Sequence, residues 1–184
     1  MGLAPVFLPH ALSHDACDRL IAAAQTGDLR EAGLVRAGAD QQLRRAEVAW
    51  TDDLPGCDWL MPQAMRLVAE ANREAFGFNL TDFGESAQIA RYGAERAGHF
   101  AWHSDIGAGQ WAAQRKLTIV VQLSDPEAYH GGTLEIWPDA TTLAAPRKRG
   151  FAAIFPSFQL HRVTPVTAGT RFSLTLWAHG PSLR

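Results

Sequence analysis

The chain has little cysteine: Cys17 and Cys57 stand in unrelated contexts, with no Cys-x-x-Cys pair. No disulfide framework can be read from them. The N-terminal stretch Met1-Gly2-Leu3-Ala4-Pro5 has neither a basic region nor a long apolar run, which argues against a signal peptide. Position 6 is Val rather than Ser or Thr, so Gly2 does not read as a myristoylation site. No apolar run approaches the length of a membrane span. A formal net charge of −2 implies no general attraction to nucleic acid or to a membrane. Repeats, low-complexity segments and dividing linkers are also missing. What remains is the composition of an ordinary globular protein, 47% apolar and 20% charged. A length of 184 residues suits a single domain, 1–184, with ample core. A cytoplasmic location is the expectation.

The two halves differ in texture. In the first, Ser13 can cap a helix with Ala16, Leu20, Ile21 and Ala24 on one face, and Gly27 can end it. A second helix is expected from about Asp58 to Phe76. Met61, Ala64, Met65, Val68, Ala71 and Ala75 form its stripe, Pro62 sits in its first turn, and Gly77 stops it. Residues 28–57 are harder to assign, although Arg44 to Trp50 reads as a strand with Val48 and Trp50 on one face. From residue 85, short alternating runs lie between Gly, Pro and Asp: 87–92, 98–103, 116–123, 132–136, 151–155, 160–166 and 170–178. Such spacing predicts an antiparallel sandwich or barrel. Helices in 1–84 followed by strands in 85–184 make the fold class α+β, mainly β.

Within the strand-rich half lies His103-Ser104-Asp105, followed far downstream by His161 and Arg171. On an extended backbone, His103 and Asp105 leave on the same face, so one ion can bridge them. A third ligand must come from elsewhere in the fold, and His161, at the entry to a strand, is the best candidate. Two imidazoles and one carboxylate suit a ferrous ion that keeps open positions. Ala168-Gly169 can turn the chain, which predicts that 160–166 and 170–178 pair as a hairpin. In the second of these strands Arg171, Ser173, Thr175 and Trp177 share one face, and Phe172, Leu174 and Leu176 share the other. A guanidinium with a hydroxyl two residues on matches a carboxylate, such as the far end of a dianionic cosubstrate. The plainer alternative is that Arg171 pairs with a structural Asp or Glu.

Other candidates carry less. His99 precedes His103 by four, but the residues between do not read as a helix, so His99 is a pocket-lining residue rather than a ligand. His130 precedes two glycines and reads as a turn residue. His179 falls at a strand end, and His10 and His14 are expected in solvent. Phe100, Trp102, Trp111 and Trp137 could wall a pocket, although core packing is the better reading for any one of them. Segment 106–114, with two glycines and Trp111, is either a lid or a plain connector. Arg91, Arg96 and Arg115 could meet an acidic substrate, with surface solvation the safer reading. No basic stripe with interleaved aromatics points to nucleic acid.

Several runs now fall into order: Tyr92-Gly93, Gly98 to Asp105, Arg115 to Thr118, Leu123 to Pro126, Tyr129 to Glu135, Phe155-Pro156-Ser157, His161 to Val166, and Gly169-Thr170-Arg171. Together they resemble the iron(II)- and 2-oxoglutarate-dependent oxygenases, specifically the prolyl 4-hydroxylase-like branch with its bacterial PKHD-type hydroxylases. The resemblance covers roughly residues 85–181. It implies a double-stranded β-helix, a distorted jelly roll, flanked by the N-terminal helices. It also implies His103, Asp105 and His161 as Fe(II) ligands. Arg171 would hold the distal carboxylate of 2-oxoglutarate, helped by Ser173, with Tyr92 and Gln88 facing the same pocket. Where some animal relatives place a cosubstrate-binding tyrosine, this chain has Gln122 or Val121. The implied reaction uses O2, with ascorbate as an accessory, to hydroxylate a C–H bond of a small molecule, amino acid or peptidyl proline. Succinate and CO2 are released. A monomer and a homodimer are both compatible with the sequence. The competing class is a catalytically silent jelly-roll module that binds metal or 2-oxoglutarate as a sensor.

Overall fold

The computed structural model describes residues 3–32 and 43–182. Met1, Gly2 and positions 33–42 of the hard-to-assign segment lie outside the described residues. Two antiparallel sheets form the body. The larger contains β1 (Val6–Leu8), β2 (Arg30–Glu31), β4 (Glu47–Trp50), β5 (Gln88–Gly93), β7 (Arg115–Gln122), β8 (Tyr129–Gly131), β11 (Ala152–Pro156) and β13 (Val166–His179). Its order is β1-β11-β7-β13-β5-β4-β2, with β8 paired to β13. The smaller contains β3 (Arg44–Arg45), β6 (His99–His103), β9 (Leu134–Trp137), β10 (Leu143–Ala144) and β12 (Leu160–Val163), in the order β10-β9-β12-β6-β3.

Each face of the larger sheet buries a different core. Between the sheets, Tyr92, Val120, Ala153 and Phe155 meet Leu134, Ile136 and Val163. On the outer face, helix α1 (His14–Thr26) and helix α2 (Leu60–Ala71) pack Leu20, Leu60 and Val68 against Ile89, Ile119 and Leu174. With a core on both sides, β7 has no solvent face. Its run from Lys116 to Gln122 is buried throughout, as expected of a strand flanked by β11 and β13. The alternation predicted for β13 holds: Phe172, Leu174 and Leu176 join the helix side, while Ser173, Thr175 and Trp177 face the space between the sheets. Val48 and Trp50 also face that space.

Local signals explain most element ends. Ser13 Oγ accepts the Ala16 amide at 3.1 Å, the expected N-cap of α1. Past Ala71, α2 runs on as a π-helical turn, Asn72–Phe76, and Gly77 at φ 67° ends it. That widened turn changes the helical phase, so Ala75 is exposed rather than buried. Met65 also departs from the expected stripe. Leu60, Ala64, Val68 and Ala71 form the buried line, which leaves Met65 46% exposed beside it.

Three further expectations are corrected. Residues 160–166 and 170–178 do not form a hairpin. β12 pairs with β6 and β9 in the smaller sheet, whereas β13 pairs with β5, β7 and β8 in the larger. Gly169, at φ 69°, does not reverse the chain but sits within the continuing strand β13, paired with Tyr129. A Cβ there would lie 2.1 Å from the Ala128 carbonyl oxygen, so the close approach requires glycine. His130 belongs to β8, with the left-handed turn falling on Gly131 and Gly132 instead. The N-terminal part is not helical alone, since β1 pairs with β11 and β4 pairs with β5. Among the described residues, no helix is long and apolar enough to cross a membrane.

Candidate metal centre

His103 and His161 are direct partners across the β6–β12 ladder, which brings two imidazoles face to face although they are distant in sequence. Asp105 follows β6 and is anchored by its own amide, which donates to the Ser157 carbonyl at 2.9 Å. His103 Nε2 lies 3.6 Å from Asp105 Oδ1, and His161 Nε2 lies 3.5 Å from Asp105 Oδ2. The three candidate ligand atoms all fall within 4.8 Å of one another. This is the only such metal-competent group found among the described residues.

The tautomers are set by the backbone. His103 Nδ1 meets the Ala101 carbonyl at 2.8 Å, and His161 Nδ1 meets the Gln159 carbonyl at 3.0 Å. A carbonyl can only accept, so each Nδ1 carries the proton and each Nε2 offers its lone pair to the centre. Burial, reinforced by the neighbouring His161, pushes His103 down to about 4, which keeps its imidazole neutral. Burial alone would raise Asp105. The two histidines, the Trp177 indole and the Thr118 hydroxyl outweigh it and hold the carboxyl at about 2. Asp105 Oδ2 accepts from Thr118 Oγ1 at 2.7 Å and from Trp177 Nε1 at 3.0 Å. Two imidazole Nε2 atoms with an ionised, oriented carboxylate form a donor set suited to a divalent transition metal.

A cavity of about 510 Å³ opens onto these residues, lined in part by Tyr92, Val120, Ser173, Thr175 and Trp177 from the larger sheet. Arg171 is fully buried. Its Nε donates to Gln122 Oε1 at 3.1 Å and its Nη1 to Ser173 Oγ at 3.1 Å, while the buried Nη2 has no partner. Its Cζ lies 5.3 Å from the Tyr92 ring centroid. Burial lowers the Arg171 pKa, partly countered by the phenols of Tyr92 and Tyr129. No carboxylate pairs with Arg171 among the described residues, so the structural ion pair considered from sequence is not formed. A buried guanidinium with an orphaned N–H, held by neutral groups, fits an exogenous carboxylate.

The structure brings the sequence candidates together unevenly. His103, Asp105, His161, Tyr92, Ser173 and Gln88 all border the cavity, although Gln88 accepts from Arg44 Nη2 at 2.6 Å, well along β5 from Tyr92. His99 is outside the ligand cluster, with Nδ1 2.9 Å from the Ala97 carbonyl. Phe100 lines the cavity because β6 is bulged: the four residues Phe100–His103 oppose the three of His161–Val163. Trp102 and Trp137 instead pack on each other, centroids 6.0 Å apart, and Trp137 is 46% exposed. Segment 106–114 contributes Ile106, Gly107, Ala108 and Ala112 to the wall, and Trp111 meets the His179 ring edge-on.

Sequence reasoning missed Thr118, Ser157 and a half-buried network around Glu85, and gave Trp177 and Gln122 no specific partner. Glu85 receives both Arg115 nitrogens, at 2.6 and 2.5 Å, and His179 Nε2 at 2.9 Å. Arg115 also donates to the Asp105 carbonyl at 3.1 Å and lies 3.9 Å from the Trp177 ring centroid. Burial alone would raise Glu85, but His179 and Arg115 hold it at about 2, against an ordinary value of 4.5. A depressed carboxyl pKa stabilises the fold above 4.5, and that contribution fades as pH falls towards 2. Glu85→Gln is therefore expected to flatten the acid limb of a denaturation-versus-pH curve. An unchanged acid limb would contradict this role.

The sheet sandwich and its His-Asp-His cluster define the class as a jelly-roll protein with a candidate metal centre. Residues 87–179 match the family model of the 2OG-Fe(II) oxygenase superfamily. The chain belongs to that superfamily. Among curated relatives, it is 42% identical over 72 residues to a PKHD-type hydroxylase of Hyphomonas neptunium, covering 39% of this chain and 32% of that protein. It is 36% identical over 85 residues to a PKHD-type hydroxylase of Azoarcus sp., covering 44% and 37%. The matched segments thus span only about a third of those relatives' length. A prolyl-4-hydroxylase crystal structure from Pseudomonas putida superposes with a TM-score of 0.75 at 25% identity, covering 96% of this chain and 92% of that one. A Trichoplax adhaerens prolyl hydroxylase, solved with a hypoxia inducible factor peptide fragment, shares the fold at TM-score 0.79 and 19% identity, covering 96% and 84%.

Proposed function

We propose that this protein is a hydroxylase that uses Fe(II), 2-oxoglutarate and O2, acting on a C–H bond of a small molecule, amino acid or peptidyl proline. The observation that carries this reading is a fully buried Arg171 with an unpartnered Nη2 in the same sheet sandwich as a three-ligand metal site. His103, Asp105 and His161 would hold the iron, and Arg171 with Ser173 would hold the distal carboxylate of 2-oxoglutarate beside Tyr92. When bound, iron and cosubstrate supply O2 activation and hydroxylation, with succinate and CO2 as coproducts.

The chain's own residues do the rest. His103 and His161 donate their Nδ1 protons to main-chain carbonyls, which keeps both rings aimed with Nε2 towards the centre. Thr118 and Trp177 hold the Asp105 carboxylate against rotation. Phe100, Val120, Leu134 and Val163 give the cavity apolar walls that limit water near the reacting centre.

Trp177→Phe keeps the ring but removes one hydrogen bond to Asp105. It should weaken metal affinity by about 10–100-fold with little change in thermal stability. Co(II) titration checks this, and unchanged affinity would show that Trp177 only packs. The activity itself is tested by O2-dependent succinate release from the iron-loaded protein, with ascorbate present, across amino acids and prolyl peptides. Stimulated release by one substrate class supports hydroxylation. A protein that binds iron and 2-oxoglutarate but releases no succinate with any class would instead be a silent binding module.

A further inference from the structure

The cavity wall contains two arginines, Arg44 and Arg115, and they are not alike. Arg115 is neutralised by its two-point contact with Glu85. Arg44, on β3, donates Nη2 to the Gln88 side-chain carbonyl at 2.6 Å, and its Nε is buried with no acceptor. No carboxylate pairs with it among the described residues. The other arginines weighed from sequence as anion sites are already occupied: Arg91 by Glu47 and Glu95, and Arg96 by Glu31. Among the described residues, Arg44 is thus the cation of the cavity wall without a carboxylate partner.

Its setting matches that of Arg171. Each guanidinium donates to the side-chain oxygen of a glutamine, Gln122 for Arg171 and Gln88 for Arg44. An amide oxygen orients a guanidinium without cancelling its charge. Each also lies over an aromatic ring, Tyr92 for Arg171 and Phe100, at 4.7 Å, for Arg44. Phe100 in turn stacks on the His103 ring with centroids 3.4 Å apart, so Arg44 stands one ring away from the metal site. Along β5, Tyr92 pairs with Arg171 in β13, and Gln88 lies four residues away, about 13 Å at strand rise. The two arginines therefore stand at different levels along β5, and only Arg44 lines the cavity itself.

Charge balance adds a second argument. A ferrous ion, the Asp105 carboxylate, a dianionic 2-oxoglutarate and Arg171 sum to zero, and so do Glu85 and Arg115. Arg44 leaves one positive charge beside the metal, best met by one negative charge on the substrate. A carboxylate supplies one charge and two acceptors in the geometry of the guanidinium fork, whereas a phosphate monoester would overshoot.

We propose that Arg44, oriented by Gln88, is a specificity-determining residue that binds a carboxylate on the substrate. This rests on the iron and 2-oxoglutarate reading above. The test is calorimetric binding to protein loaded with redox-silent Mn(II) and 2-oxoglutarate. The probes are N-acetyl-proline, N-acetyl-leucine and N-acetyl-phenylalanine, each as the acid and as the carboxamide. At least one acid should bind about tenfold or more tightly than its amide. Arg44→Gln should bring that ratio close to one, and Arg44→Lys should keep part of it, with 2-oxoglutarate affinity unchanged in both. The proposal is overturned if no acid is preferred, if the preference survives in Arg44→Gln, or if Arg44→Gln loses 2-oxoglutarate as well. Failure of the underlying reading looks different: the wild-type protein would not take up 2-oxoglutarate before any probe is added.

Discussion

Asp105→Ala is expected to leave a folded protein that no longer retains iron. Asp105 is the sole anionic member of the cluster, and both histidine Nε2 atoms lie within 3.6 Å of its carboxylate. Removing it leaves two imidazoles, which offer no negative charge and one donor fewer to a divalent ion. It also strands Thr118 and Trp177, the two donors that fix the carboxylate. Iron content after desalting should fall to background, and activity with it. Asp105→Glu should fail nearly as badly, because the longer side chain cannot keep both those donors and the bridging position. Iron retained at wild-type affinity in Asp105→Ala would show that the metal sits elsewhere.

The second large effect is at Arg171, and it separates cosubstrate from metal. Arg171→Ala should weaken 2-oxoglutarate binding by about 2–5 kcal/mol. That is roughly thirty- to several-thousand-fold in Kd. Iron affinity should hardly change, since Arg171 contacts none of the three ligands through the hydrogen bonds it makes. Removing an unpaired buried charge also removes its desolvation cost, so the variant should be no less stable without cosubstrate than the wild type. Calorimetric titration of 2-oxoglutarate into Mn(II)-loaded protein measures the first effect, and thermal unfolding the second. A parallel loss of metal and cosubstrate would make Arg171 a structural residue.

What could be read from the sequence divides along physical lines. His103, Asp105 and His161 were legible because their chemistry is unusual in combination, and the separation along the chain allows strands to return. The polar row Arg171-Ser173-Thr175-Trp177 was legible because strand alternation is strict within β13. The fate of Gly169 was not. A glycine signals that the chain can adopt a left-handed conformation, but pairing decides whether that makes a hairpin or a kink in a long strand. Phe100 and Trp102 could not be assigned by alternation, because the β6 bulge moves Phe100 onto the same side as His103. Thr118, Glu85 and Arg44 carry no local signal at all. Each gains its role from a partner at least thirteen residues away, as Thr118 does from Asp105 and Arg44 does from Gln88.

The most direct test of the central claim is an anaerobic optical titration. Fe(II)-loaded protein is mixed with 2-oxoglutarate in the absence of O2, and the visible spectrum is recorded. A metal-to-cosubstrate charge-transfer band that saturates with 2-oxoglutarate, vanishes in Asp105→Ala and demands far more cosubstrate in Arg171→Ala is the predicted result. A spectrum that does not respond to 2-oxoglutarate, from protein shown to contain iron, would contradict the account.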